Sequence, residues 1–270
     1  MCAHYSELYI KRVCLSLVFV DSTINPSSGW FKVSSIRRVE VFRYNSAFDE
    51  LPHFDQFEVE TYENSTVLDT LFTIVENSDS DISFRCSCRL GMCGSCAMLI
   101  NGREGLACRT KMHQLSDPVV IRPLRNLPII KDLTVNMDPF FEKWESIKPY
   151  FIASEQLDHS TFANIPSSSD RRGIIDQSLD CITCGACWSA CTIVALDEDY
   201  IGPAALNRAY TLIEDERDGG HDTRMDVAAG EHGAERCHTL FNCMEVCPKH
   251  LKPTWAIQKI KSKAVRTGER

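Results

Sequence analysis

Cysteine spacing constrains this chain more than any other feature. Fourteen cysteines occur in 270 residues, and eleven of them fall into three groups. Cys88, Cys93 and Cys96 form a C-x4-C-x2-C run, with Cys108 further on. Cys181, Cys184, Cys187 and Cys191 form C-x2-C-x2-C-x3-C. Cys237, Cys243 and Cys247 form C-x5-C-x3-C, closed by Pro248. A chain of this length builds a core without disulfide staples. Thiols this close together suit a shared metal better than a disulfide framework, and a reducing compartment.

The first group has the spacing of plant-type [2Fe–2S] sites, with four thiolates around two irons. Gly91 and Gly94 permit the positive-φ turns of a loop that aims its amide N–H groups at the cluster. A structural zinc would prefer two separated C-x2-C pairs. Taking Cys86 as the first ligand would give a six-residue gap, so Cys86 reads as a spectator thiol. In two-cluster ferredoxins the fourth cysteine of a run like the second one ligates the other cluster. Crossing the ligands in that way assigns Cys181, Cys184, Cys187 and Cys247 to a [4Fe–4S] cluster. Cys191, Cys237 and Cys243 remain, a three-thiolate site suited to [3Fe–4S]. Leu240 lies between two of these ligands and supplies no fourth.

Between the cysteines the chain divides into two styles. Residues 39–44 and 57–62 alternate apolar and polar, as half-buried strands do, and would pair as a hairpin. Ser65 and Thr66 are candidate caps for a helix carrying Val67, Leu68, Leu71 and Ile74. Ala97–Ile100 ends in an Asn101-Gly102 hairpin turn, and Val119–Ile121 supplies another strand. The expectation is an α+β domain over 35–138, with one helix on a mixed sheet, followed by an all-α domain over 139–270. Residues 153–173 read as a connector. Pro203 and Pro253 should open helices, and Gly219 and Gly220 should stop a helix spanning Leu206 to Arg217. Residues 1–34 stand apart as an N-terminal extension. Lys11 and Arg12 before the apolar stretch 13–20 weakly imitate a signal peptide, but a short strand or a leader fits them better. A net charge of −8 argues against a nucleic-acid partner. The apolar stretches are far shorter than the roughly 20 residues that a membrane span needs.

With these motifs together, the chain resembles the iron–sulfur subunit of succinate dehydrogenase and fumarate reductase. The resemblance spans about residues 36–262. Beyond the cysteines it rests on Arg38–Tyr44, Lys131–Met137, Ser146–Tyr150, Ile201–Ala204 and Arg236–Thr239. It implies a β-grasp plant-type ferredoxin domain followed by an all-α two-cluster ferredoxin-like domain. It also implies a function. Electrons would pass between the FAD of a flavoprotein subunit and a membrane quinone, through [2Fe–2S], [4Fe–4S] and [3Fe–4S], in reverse for fumarate reductases. The implied partners are that flavoprotein and a membrane anchor, which in some complexes carries haem. The implied location is peripheral, on the cytoplasmic face of the cell membrane or the matrix side in a mitochondrion. The chain would carry no catalytic acid or base of its own.

His238 and Lys261 match positions that the family places near the quinone and the anchor. A histidine beside a cysteine is also often a plain surface hydrogen-bonder, and a lysine near a terminus is often solvated surface. Trp188 and Trp255 read as packing residues. The sequence departs from the family after Cys191, where Thr192–Tyr200 has neither the usual Pro nor the quinone-lining Trp residues. Ile193, Val194 and Leu196 would then have to wall the quinone pocket. That departure keeps a second reading open, an electron-transfer partner of another flavoenzyme with a soluble or thiol-disulfide acceptor. A zinc-stabilised interaction module is the third.

Overall fold

A computed structural model describes residues 35–78, 81–155, 160, 162 and 165–267. The extension over 1–34 lies outside the described residues. β1 (Ser35–Arg43) and β2 (His53–Thr61) form the antiparallel hairpin that their alternation implies. β3 (Ala97–Ile100), β4 (Arg103–Leu106) and β5 (Val119–Arg122) complete a sheet of order β2-β1-β5-β3-β4, in which β1 and β5 run parallel and the other pairs antiparallel. Val39 faces Val119 across the parallel pair and Val41 faces Ile121, and all four are fully buried.

Helix α1 (Val67–Asn77) lays Leu68, Leu71 and Ile74 on the same core. Its cap is Thr66, whose hydroxyl accepts from Asp69 N while the Asp69 carboxylate accepts from Thr66 N. Such a reciprocal cap satisfies two orphan donors of the first turn. Ser65 instead accepts from Tyr62 N. Asn101 (φ 46°) and Gly102 (φ 81°) make the β3–β4 turn, both with the positive φ that a tight hairpin turn demands. A ribbon of β6 (Ile129–Lys131) and β7 (Thr134–Val135) follows. In its turn, the buried carboxylate of Asp132 accepts from Arg43 Nε at 3.0 Å, Tyr44 N at 3.1 Å and Ser83 N at 2.9 Å, which fixes the approach to the first cysteine run.

The remainder is helical. The elements are α2 (Asp138–Ser146), α3 (Asp170–Leu179), α4 (Ala186–Ser189), α5 (Thr192–Leu196), α6 (Pro203–Ile213), α7 (His221–Ala228), α8 (Asn242–Glu245) and α9 (Pro253–Thr267). α6 is buried at every position except Arg208, as expected of a helix at the centre of a bundle, and α3, α7 and α9 pack around it. Pro203 and Pro253 open their helices as the sequence implied.

Two expectations need correction. The connector over 153–173 ends early, because Ser169 accepts from Arg172 N and starts α3 at Asp170. The helix expected to reach Arg217 ends at Ile213. Asp215 accepts from Arg217 N at 3.1 Å, a local side-chain turn that competes with helix continuation. Gly219 does not stop a helix there. It lets the chain close on Ser154, whose Cα would lie 3.1 Å from an added Cβ.

The two halves are locked together by polar contacts. Glu104, buried on β4, accepts from Arg125 Nη2 at 2.7 Å and from Ser189 Oγ at 2.8 Å. Asn126 Nδ2 is shared among the carbonyls of Trp188, Ser189 and Cys191.

Candidate metal centres

The loop after Phe84 wraps its sulfurs with backbone. N–H groups of Leu90, Met92 and Cys93 donate to Cys88 Sγ at 3.4, 3.2 and 3.3 Å. Converging donors favour the thiolate, so Cys88 is pulled down to about 6 from the ordinary thiol value. The loop reaches this shape with Arg89, Gly91 and Gly94 all at positive φ. Across from it, Cys96 Sγ and Cys108 Sγ stand 3.3 Å apart without a covalent bond, and burial pushes Cys96 up to about 12. The four cysteines expected to share one site therefore meet in one loop-and-strand cradle.

The other seven sort into two recesses. One is lined by Cys181, Cys184, Cys187 and Cys247, with Ile182, Gly185 and Leu251. The next is lined by Cys191, Cys237 and Cys243. Burial raises Cys184 and Cys243 to about 11 each, and lifts Cys187 well above the ordinary value. None of the eleven candidate ligands forms a disulfide. Buried thiols gathered without disulfide bonds, with backbone donors at hand, are a donor set suited to iron–sulfur clusters, whose thiolates need compensation once desolvated.

The three sites adjoin. Gly94, between Cys93 and Cys96, presses on the second run so closely that a Cβ would sit 2.7 Å from Cys184 Cβ. Cys187, in the four-cysteine recess, is an electrostatic neighbour of Cys243 in the next.

His238 lines the three-cysteine recess, and Lys261 Nζ donates to the carbonyl of Cys237 at 2.8 Å. The expected apolar wall is only partly there. Ile193 lines the recess, but Val194 is buried in the core and Leu196 is 83% exposed. Val194 is turned about 100° from Ile193 and packs into the core, whereas Leu196, at the end of α5, is left in solvent. Leu240 and Phe241 take their place, each about half exposed at the mouth. Trp188 packs edge-on against Phe140 and under Gly202 (φ 87°), where a Cβ would collide with the ring at 2.7 Å. Trp255 packs edge-on against Tyr210.

Known proteins match the same architecture. Residues 38–142 match the family described as a 2Fe-2S iron-sulfur cluster binding domain, and residues 177–251 the 4Fe-4S dicluster domain. The fumarate reductase iron-sulfur subunit of Escherichia coli O6:H1 (strain CFT073) is 39% identical over 223 residues, 82% of this chain and 90% of the relative. This chain belongs to the family of fumarate reductase and succinate dehydrogenase iron–sulfur subunits. The subunit is also 39% identical to the fumarate reductase iron-sulfur subunit of Mycobacterium tuberculosis, over 83% of this chain and 90% of the relative. It is 35% identical to the succinate dehydrogenase iron-sulfur subunit of Coxiella burnetii, over 85% and 97%. Among solved structures, a chain of the Mycobacterium smegmatis Sdh1 complex in the apo form superposes with a TM-score of 0.79. It has 26% identity, with 88% of this chain and 99% of that chain covered. The subunit is an electron-transfer component carrying [2Fe–2S] and [4Fe–4S] binding domains. No described helix is long and apolar enough to cross a membrane.

Sequence reasoning missed several residues of the iron–sulfur subunit's machinery. Asn126 clamps the segment between Cys187 and Cys191, and Glu104 ties that segment to the sheet. Thr254 bonds to Cys243 Sγ, and Tyr200 is buried against the three-cysteine recess. No spacing signal marks them, because their partners are remote in sequence.

Proposed function

We propose that this subunit relays electrons between FAD in a flavoprotein subunit and a quinone at a membrane anchor. It would lie peripherally, with 35–138 a β-grasp plant-type ferredoxin unit and 139–270 a two-cluster ferredoxin-like unit. Cys88, Cys93, Cys96 and Cys108 hold [2Fe–2S]. Cys181, Cys184, Cys187 and Cys247 hold [4Fe–4S], and Cys191, Cys237 and Cys243 hold [3Fe–4S]. The observation that carries the reading is the sorting of the seven later cysteines into a four-thiol and a three-thiol recess, next to the first loop. When bound, the clusters supply one-electron carriers in series. The chain's own residues do the rest. Backbone N–H groups steady the Cys88 thiolate, and the apolar recess walls exclude water. Leu240 and Phe241 offer an apolar rim at the last site, with Ile193 inside. His238 offers a ring that hydrogen-bonds a quinone carbonyl or passes it a proton. Lys261 holds the Cys237 carbonyl and thereby the loop that carries His238.

Anaerobic preparation of the native complex should give about nine irons per chain, with two-, four- and three-iron signals by low-temperature EPR. His238→Ala should slow quinone reduction severely and leave reduction of an artificial dye nearly intact. Unchanged quinone activity would remove His238 from the site. Stoichiometric zinc in place of iron would end the relay reading.

A further inference from the structure

Thr254 is almost wholly buried in the first turn of α9, and its hydroxyl lies 3.1 Å from Cys243 Sγ. Its backbone N–H faces the same sulfur. Pro253 ahead of it has no N–H, so Thr254 presents one of the first donors that the helix leaves unmatched. With a thiol at Cys243, either atom of the side-chain pair can donate. A thiolate bound to iron has no proton, so the contact persists only with the hydroxyl donating.

We propose that Thr254 is a positioning residue that sets the reduction potential of the cluster held by Cys191, Cys237 and Cys243, by donating a hydrogen bond to the Cys243 sulfur. The inference rests on the ligand assignment proposed above. Adding an electron makes the cluster and its thiolates more negative, and a donor aimed at a ligand sulfur stabilises that state. The potential therefore rises. The bond is sheltered from water, because Thr254 and Ile257 line the recess together. The rest of the same helix face braces the third cysteine run. Gln258 Nε2 donates to Thr239 Oγ1 at 2.8 Å, and Lys261 Nζ reaches the Cys237 carbonyl. Positions 254, 258 and 261 follow the spacing of one helical stripe. Thr254 is the member of that stripe that contacts a ligand sulfur.

The test uses the native complex. In Thr254→Val the shape is kept and the donor lost. The midpoint potential of the three-iron centre, read from its EPR signal in a redox titration, should fall by about 59 mV, a tenfold shift in a one-electron equilibrium. The two-iron centre should not move, and Thr254→Ser should restore most of the shift. In D2O-exchanged protein, electron–nuclear double resonance of the oxidised three-iron centre should show one deuteron coupling that is lost in Thr254→Val, while couplings from backbone N–H groups such as those of Thr239 and Thr254 remain. An unmoved potential, or deuteron couplings unchanged between wild type and Thr254→Val, would overturn the proposal. Thr254→Ala is a second variant without the hydroxyl, so a misfolded Thr254→Val would still leave the proposal decidable. Cys243→Ser separates the two layers. Loss of the three-iron signal there upholds the ligand assignment even if Thr254→Val is silent, whereas an unaltered signal would overturn the assignment and this inference with it.

Discussion

Cys88 in the first half of the subunit, and Cys184 and Cys243 in the second, meet metal from opposite starting points. The loop around Cys88 is exposed and local, and its own amide N–H groups pull that thiol down to about 6. In the helical half each site joins one local run to a distant segment, and desolvation raises Cys184 and Cys243 to about 11. At Cys88 hydrogen bonding favours the thiolate before metal arrives, although burial pushes Cys96 of the same site up to about 12. Cys184 and Cys243 stay protonated near neutral pH, and there metal must displace the protons. A loop that reads its own backbone can be exposed, whereas a site assembled across the fold must be dry and depends on tertiary packing.

The strongest way to break this comparison is to remove a long-range ligand. Cys247→Ser should abolish or transform the four-iron signal while the two-iron signal persists, as EPR of both centres would show. A change confined to the three-iron signal would mean that the crossed assignment is wrong. A second test concerns the buried ion pairs that hold each half. Arg224 and Asp218 are both wholly enclosed, and Arg224 also donates to the carbonyls of Lys148 and Tyr150. Arg224→Met should destabilise the helical half by about 3–5 kcal/mol, because it strands a buried carboxylate. Arg43→Met should cost less. Asp218 and Asp132 each keep two backbone donors, but the Arg43 side chain is 14% exposed and also serves the more exposed Asp55 and Asp81, so solvent screens part of the loss. Chemical denaturation of the two variants would rank them, and equal losses would refute the contrast.

A smaller effect probes the seam between the halves. Gly94→Ala places a side chain at φ +73°, which costs about 1–2 kcal/mol on its own. It also drives a methyl into Cys184, so electron passage from the two-iron to the four-iron site should slow, measured by rapid-freeze EPR. Unchanged passage would show that the seam tolerates movement. The mildest test strips the metal anaerobically and follows thiol alkylation against pH. Cys88, with its value depressed, should become reactive as pH rises through about 6 and level off by about pH 8. Cys184 and Cys243 should still be gaining reactivity above pH 9, because burial raises their values. Parallel profiles for the three thiols would contradict the comparison.

What the sequence determined by itself is what short-range physics encodes. The alternation in β1 and β2, the Thr66 cap, the Asn101-Gly102 turn and the helix-opening prolines all depend on neighbours a few residues away. The spacing of the first cysteine run is of the same kind, since one loop must wrap one cluster. Tertiary structure decided the rest. The end of α6 at Ile213 came from an aspartate side chain capturing the backbone, which competes with a helix that composition alone would extend. Leu240 and Phe241 join Ile193 at the apolar rim in place of Val194 and Leu196, because Val194 packs into the core and the fold brings a distant segment alongside. Asn126, Glu104 and Thr254 matter through partners 11 to 85 residues away. Such contacts leave no periodicity in the chain, because each is a single meeting of two remote side chains whose geometry exists only once the core has closed.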